Sequence, residues 1–139
     1  MPVGSGLVRV PLELVARRVG EVAQGFPALV AAYLFGSALG ACRPDSDIDL
    51  GVILRIAAGP RSVDELELGL GSIAGHPFHV TALTADSAFA FHVVRGGLLV
   101  FSADDDARLQ FLQCVALQNF YDGPHLNTAA QALREEAGF

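Results

Sequence analysis

The sequence predicts an α/β or α+β domain built around a small mixed β-sheet of about four strands flanked by helices. Short apolar runs alternate with stretches of helical periodicity, and Gly, Pro or charged residues interrupt each run. None of the runs approaches the roughly 18 residues that a transmembrane helix requires. A chain of 139 residues suits one domain, so we expect residues 1–139 to form a single unit with its own core.

The first half of the chain predicts one helix followed by two buried strands. Apolar residues recur at helical spacing over residues 11–24, and Pro11 suits the first turn of a helix. Two continuous apolar runs, at 28–35 and 47–54, are typical of strands buried on both faces. A Gly-rich connection joins the two strands.

The second half predicts four helical segments and two strands. Ser62 stands three residues before Glu65, the spacing of a capping box, and Ser102 or Asp104 can cap a later helix. The expected elements are a helix at 62–74, a strand at 77–83, a short helical segment at 87–94, a strand at 97–101, and helices at 107–120 and 126–136.

Composition narrows the classes of partner. The chain has 9 Lys and Arg against 15 Asp and Glu, a net charge of -6, so it lacks the basic surface that binds a long nucleic acid. Hydrophobic residues make up 52% of the chain, which predicts surplus apolar surface covered by a partner or by a second copy in a homo-oligomer. No membrane association is expected.

The N-terminus and the cysteines indicate a cytoplasmic location. The first residues lack the charged start and unbroken apolar core of a signal peptide. Cys42 and Cys114 stand in no CxxC motif or Cys/His cluster, so we expect reduced structural thiols.

Two aspartates at the start of the second apolar run are the first candidate functional residues. Asp47 and Asp49 are two apart on a predicted strand, so their side chains leave the same face while Ile48 and Leu50 point to the other. Two carboxylates held together are unfavourable unless they are protonated or bind cations. Mg²⁺ prefers one or two carboxylates together with substrate phosphates, and it suits this pair.

A Gly-Ser pair at the end of the preceding strand supplies the second candidate. Gly36 lets backbone N–H groups approach an anion, and the Ser37 hydroxyl adds a donor. Each motif alone is ordinary, because Asp-x-Asp often ends a strand at solvent and Gly-Ser is common in turns. Together, in this order, they indicate nucleotidyl or phosphoryl transfer, in which metals bridge phosphate oxygens.

The spacing of these motifs resembles that of the DNA polymerase β-type nucleotidyltransferase superfamily. Nine residues separate Gly36-Ser37 from Asp47-Ile48-Asp49, and the longer stretch is similar to the minimal nucleotidyltransferases that are encoded beside HEPN-domain toxins. The similarity extends from about residue 29 to residue 121.

The resemblance implies a polymerase β-like fold and an enzyme that uses ATP, or another NTP, with Mg²⁺ or Mn²⁺. It implies an antitoxin that transfers AMP to a tyrosine hydroxyl of a HEPN toxin, which would be a separate protein. Gly36 and Ser37 would bind the nucleotide, Asp47 and Asp49 would hold the metal, and the catalytic residues would be Asp47, Asp49 and the residue at position 79.

Position 79 departs from the family pattern. The third carboxylate of the family comes from the next strand, where this chain has His79. His79 can be a nitrogen ligand, better tolerated by manganese, cobalt or zinc than by magnesium, or it marks a site with weakened or lost chemistry. Two alternative functions therefore stay open, an antitoxin that acts by binding and an enzyme that modifies a small molecule such as an aminoglycoside.

Overall fold

A computed structural model describes residues 6–56 and 58–119 of the chain. The α-helices in these residues are α1 (Leu12–Ala23), α2 (Ser62–Leu70), α3 (Ala88–Gly96) and α4 (Asp105–Asn119). The strands are β1 (Val8–Arg9), β2 (Leu29–Phe35), β3 (Ala41–Cys42), β4 (Ile48–Leu54), β5 (Ser72–Ile73), β6 (His76–Ala82) and β7 (Leu98–Ser102). A 3-10 helix (Gly36–Leu39) directly follows β2.

The main sheet has the strand order β5-β6-β4-β2-β7. Strand β2 is antiparallel to both of its neighbours, β4 and β7, whereas β4 and β6 run parallel. The sheet is therefore mixed, and its four longer strands are those that the sequence predicts. The two-residue strand β5 extends one edge, and β1 pairs with β3 in a separate ribbon.

Helices cover both faces of the sheet, which explains why its central strands are apolar on both sides. On one face, α1 and α2 pack through Val15, Val19, Leu66 and Leu70 against the sheet. On the other face, α3 and α4 form a second core that includes Tyr33. The resulting three layers confirm the predicted class of a small mixed sheet flanked by helices.

Helix α2 is shorter than the sequence predicts. It ends at Leu70 rather than at residue 74, because Gly71 adopts a φ of 67° and the chain turns into β5. The predicted capping box is wrong, since Ser62 lies inside the helix and the N-cap position is Arg61, without a side-chain cap.

Side chains cap the next two helices, and the sequence predicts the second of these caps. The Ser87 hydroxyl accepts hydrogen bonds from the backbone N–H groups of Phe89 and Ala90 at the start of α3. At the start of α4, the Asp104 carboxylate accepts the Ala107 N–H at 3.0 Å, as the sequence predicts. The predicted helix at 126–136 lies outside the described residues.

Both cysteines are free, Cys42 buried and Cys114 exposed. Within the part of the chain that is described, no helix is long and apolar enough to cross a membrane.

Gly51 lies where α3 packs against the sheet, and its substitution tests how closely the two approach. A Cβ atom at Gly51 would lie 2.9 Å from Val93 Cγ1 and 3.0 Å from Leu83 Cδ2. We expect Gly51→Ala to lower the free energy of unfolding by about 1–3 kcal/mol, the usual cost of overpacking a core, in urea denaturation.

Gly20→Ala is the matched control. Nothing lies within 4 Å of a Cβ at this position of α1, so the substitution should stabilise the protein by about 0.5–1 kcal/mol. Equal stability of the two variants would contradict the packing of α3 against β4.

Candidate active site

The register of the sheet places Asp49 at the centre of the candidate site. Asp49 pairs with Phe35 on antiparallel β2 and with His79 on parallel β6. Register partners project from the same face of a sheet, so these three side chains share one face. The face is the one on which α3 packs, because Phe35 contacts Phe89 of α3 edge to face, with 5.3 Å between ring centroids.

Asp47 lies one residue before β4 and is exposed, whereas Asp49 is half-buried. Between and after them, Ile48 and Leu50 are completely buried on the opposite face. This is the alternation that the sequence predicts, and the two carboxylates are close enough for Asp47 to affect the protonation of Asp49.

Gly36 is required by the position of Asp49. Its φ of 77° is in the left-handed region, and a Cβ atom at Gly36 would lie 2.7 Å from Asp49 Oδ2. The Asp49 carboxylate therefore rests against the backbone where β2 passes into the 3-10 helix. Ser37 follows Gly36 in the first turn of that helix and is exposed to solvent.

The electrostatic environment of Asp49 favours a bound cation. Burial raises the pKa of the Asp49 carboxyl above its ordinary value of 3.8, His79 lowers it, and the Asp47 carboxylate raises it. A carboxylate that is costly to ionise next to a second carboxylate is stabilised by a positive charge between the two.

His79 has a partner that the sequence does not reveal. The Glu67 carboxylate of α2 accepts the Val80 N–H at 2.9 Å and lies 3.9 Å from His79 Nδ1. Glu67 thus holds the outer edge of β6 and faces the His79 ring, whose side chain is 58% exposed. Nothing in the local pattern of α2 distinguishes Glu67 from its other acidic residues, so only the packing of α2 against β6 identifies it.

The donor set at this site suits a metal that binds together with substrate. Among the described residues, no three His, Cys, Asp or Glu side chains are gathered closely enough to hold a metal ion by themselves. Asp47 and Asp49 offer two carboxylates and open solvent, which is the arrangement that Mg²⁺ uses when phosphates and water complete its shell.

Comparison with known proteins identifies the family of the chain. A family model described as polymerase beta, nucleotidyltransferase matches residues 18–106, more than half of the chain. The chain belongs to this nucleotidyltransferase family. The match spans Gly36, Ser37, Asp47, Asp49 and His79, and it confirms the family that the sequence motifs indicate. No curated protein matches the sequence significantly.

Solved structures with the same fold are antitoxins bound to toxins. A tri-AMPylated HEPN toxin from Shewanella oneidensis in complex with MNT antitoxin provides a chain with a TM-score of 0.56 and 21% identity, covering 93% of this chain and 100% of that one.

Two further complexes share the fold. The toxin-antitoxin MntA-HepT gives a TM-score of 0.55 at 21% identity and covers 91% of this chain and 99% of its own. A toxin-antitoxin with AMP-PNP gives a TM-score of 0.55 at 20% identity, and the match covers 89% of this chain and 98% of that one.

The raised pKa of Asp49 has a consequence for stability in metal-free buffer. Because the folded protein binds this proton more tightly than the unfolded chain, the ionised carboxylate destabilises the fold at pH 7. The cost falls as the pH is lowered through the raised pKa towards 3.8. Asp49→Asn should therefore unfold at a higher urea concentration than the unchanged protein at pH 7, and the difference should close near pH 4.

Asp104→Asn is the control of opposite sign. The hydrogen bond from the Ala107 N–H lowers the pKa of Asp104, so its ionised form stabilises the fold above pH 3.8. Removing this charge should lower the urea midpoint at pH 7. A loss of stability in Asp49→Asn at pH 7 would contradict the unfavourable burial of Asp49.

Proposed function

We propose that this protein transfers AMP from ATP, or the corresponding group from another NTP, to a tyrosine hydroxyl of a separate HEPN toxin. The observation that carries the proposal is the Asp49 carboxylate held against Gly36 beside Asp47. Family membership supports nucleotidyl transfer, and the similar complexes include a HEPN toxin that carries three AMP groups and a toxin-antitoxin with AMP-PNP. The protein would accordingly act as an antitoxin.

In this proposal each side chain acts on one part of the reaction. The Gly36 backbone and the Ser37 hydroxyl orient the triphosphate. Asp47 and Asp49 hold Mg²⁺ or Mn²⁺, which when bound neutralises phosphate charge and polarises the phosphate under attack. The acceptor oxygen forms a bond to the α-phosphorus as the bond to the β-phosphate breaks, and pyrophosphate leaves.

We propose that His79 accepts the proton that the tyrosine hydroxyl loses during transfer. It stands beside Asp49 in the register of the sheet, its side chain is 58% exposed, and the Glu67 carboxylate lies 3.9 Å from its Nδ1 atom. The imidazole then replaces the carboxylate that the resemblance predicts at this position.

The transfer is tested by incubating the protein with labelled ATP, Mg²⁺ or Mn²⁺, and the product of the neighbouring gene, which the proposal takes to be the HEPN toxin. We expect labelled toxin, and we expect Asp47→Asn/Asp49→Asn to reduce labelling on the order of 10²–10³-fold, because the charges that stabilise the transition state are lost. Asp106→Asn removes an exposed carboxylate from α4 and should label the toxin normally. No label with any of these metals would refute the activity.

His79 favours a second candidate function, that of an antitoxin acting by binding alone, because the predicted third carboxylate is absent at that position. In that case the Asp47→Asn/Asp49→Asn protein would still bind the toxin and neutralise it in cells. Neutralisation lost in parallel with labelling supports the enzyme, whereas neutralisation retained without labelling supports binding.

Substitution of His79 tests whether this side chain accepts the proton during transfer or takes no part in the reaction. His79→Ala should lower the rate of labelling by about 10²-fold, as is typical for loss of a general base, while His79→Asp should retain a larger share of it. Toxin binding, measured by calorimetry, should be the same for both variants. An unchanged rate in His79→Ala would show that this side chain takes no part in transfer.

A further inference from the structure

A cleft next to Gly36 lies on the same face of the sheet as Asp49. It has a volume of about 250 Å³, and its walls include Phe35, Gly36, Leu39, Phe89, His92 and Gly96. Because Gly36 both lines the cleft and contacts Asp49, the cleft is continuous with the candidate site.

The walls of the cleft are apolar although they open to solvent. Leu39 and Phe89 keep 37% and 42% of their surfaces exposed, and Phe89 is held by its edge-to-face contact with Phe35. Of the described residues that line the cleft, His92 has the one polar side chain, a ring that can donate or accept a hydrogen bond. An exposed aromatic wall with one polar group suits a planar ring that carries hydrogen-bonding atoms.

The size of the cleft fits part of a ligand rather than a whole one. Sites for complete small molecules usually occupy roughly 300–1,000 Å³, more than is enclosed here. A ring system whose remaining atoms extend over Gly36 towards Asp49 would account for both the small volume and the open end.

The floor of the cleft is closely packed where α3 meets β2. A Cβ atom at Gly97 would lie 2.5 Å from the Val93 carbonyl oxygen and 2.8 Å from that of Leu34, so the end of α3 approaches the strand as closely as a glycine allows.

We propose that this cleft binds the nucleobase of the nucleotide, with the base packed against the ring of Phe89. The assignment rests on the proposed function, because it takes the triphosphate to lie over Gly36 and Ser37. The cleft opens at Gly36 onto the site proposed for the phosphates. A base that is joined to those phosphates through its sugar can therefore enter the cleft from the Gly36 end.

The test separates the base from the phosphates. Without acceptor and with Mg²⁺ present, affinities for ATP and for inorganic tripolyphosphate are measured by calorimetry. We expect Phe89→Ala to weaken ATP binding about tenfold, within the range for loss of one aromatic stacking partner, and to leave tripolyphosphate binding unchanged. Phe89→Trp should restore ATP affinity, because it keeps an aromatic face.

A second variant tests whether the cleft binds the base by filling the cleft. Gly96 lines the cleft, and no atom outside the helix's own backbone lies within 4 Å of a Cβ there. Gly96→Leu should therefore place its side chain in the cleft and also weaken ATP binding alone. Leu117→Ala, on the exposed side of α4, should bind both ligands like the unchanged protein.

Each other outcome overturns the assignment. Unchanged ATP affinity in both Phe89→Ala and Gly96→Leu would place the base elsewhere, and unchanged ATP affinity combined with slower labelling of the toxin would instead assign the cleft to the acceptor tyrosine. Equal loss of ATP and tripolyphosphate would indicate a general defect of the site. If the unchanged protein bound neither ligand, both this assignment and the proposed function would be refuted.

Discussion

The close contact between Asp49 and Gly36 is the constraint on which the rest of the site depends. The carboxylate fills the space where any other residue at position 36 would place its Cβ atom, and the backbone there has a positive φ. The antiparallel register of Phe35 with Asp49 produces this contact. A half-buried carboxylate, a turn with a positive φ and the wall of a cleft thus meet at one point of the sheet.

The layered fold accommodates this contact. Helices pack on both faces of the buried strands β2 and β4. The sheet opens to solvent at the end of these strands beside Asp49, where Ser37 and Asp47 are exposed. Gly51, one pleat further along the same face, lets α3 pack close to β4, and α3 then brings Phe89 against Phe35. The core and the candidate site are therefore shaped by the same close approach of helix to sheet.

The sequence predicts what depends on local pattern. Continuous apolar runs identify β2 and β4, and the alternation around Asp49 identifies which side chains share a face. The early end of α2 is missed because apolar periodicity continues past Gly71, whose positive φ stops the helix. Glu67 and the Phe89 cleft are missed for a different reason, since both arise where residues distant in sequence meet across packed elements.

The central claim is that Asp47 and Asp49 form a divalent-metal site completed by nucleotide phosphates. Crystals grown with Mn²⁺ and a non-hydrolysable ATP analogue, measured at the manganese absorption edge, test it most directly. The account predicts an anomalous peak beside the carboxylates of Asp47 and Asp49 and the nucleotide phosphates, the ligands that a hard divalent cation would use there. Bound nucleotide with no peak at Asp47 and Asp49, or a peak only at other carboxylates, would contradict it.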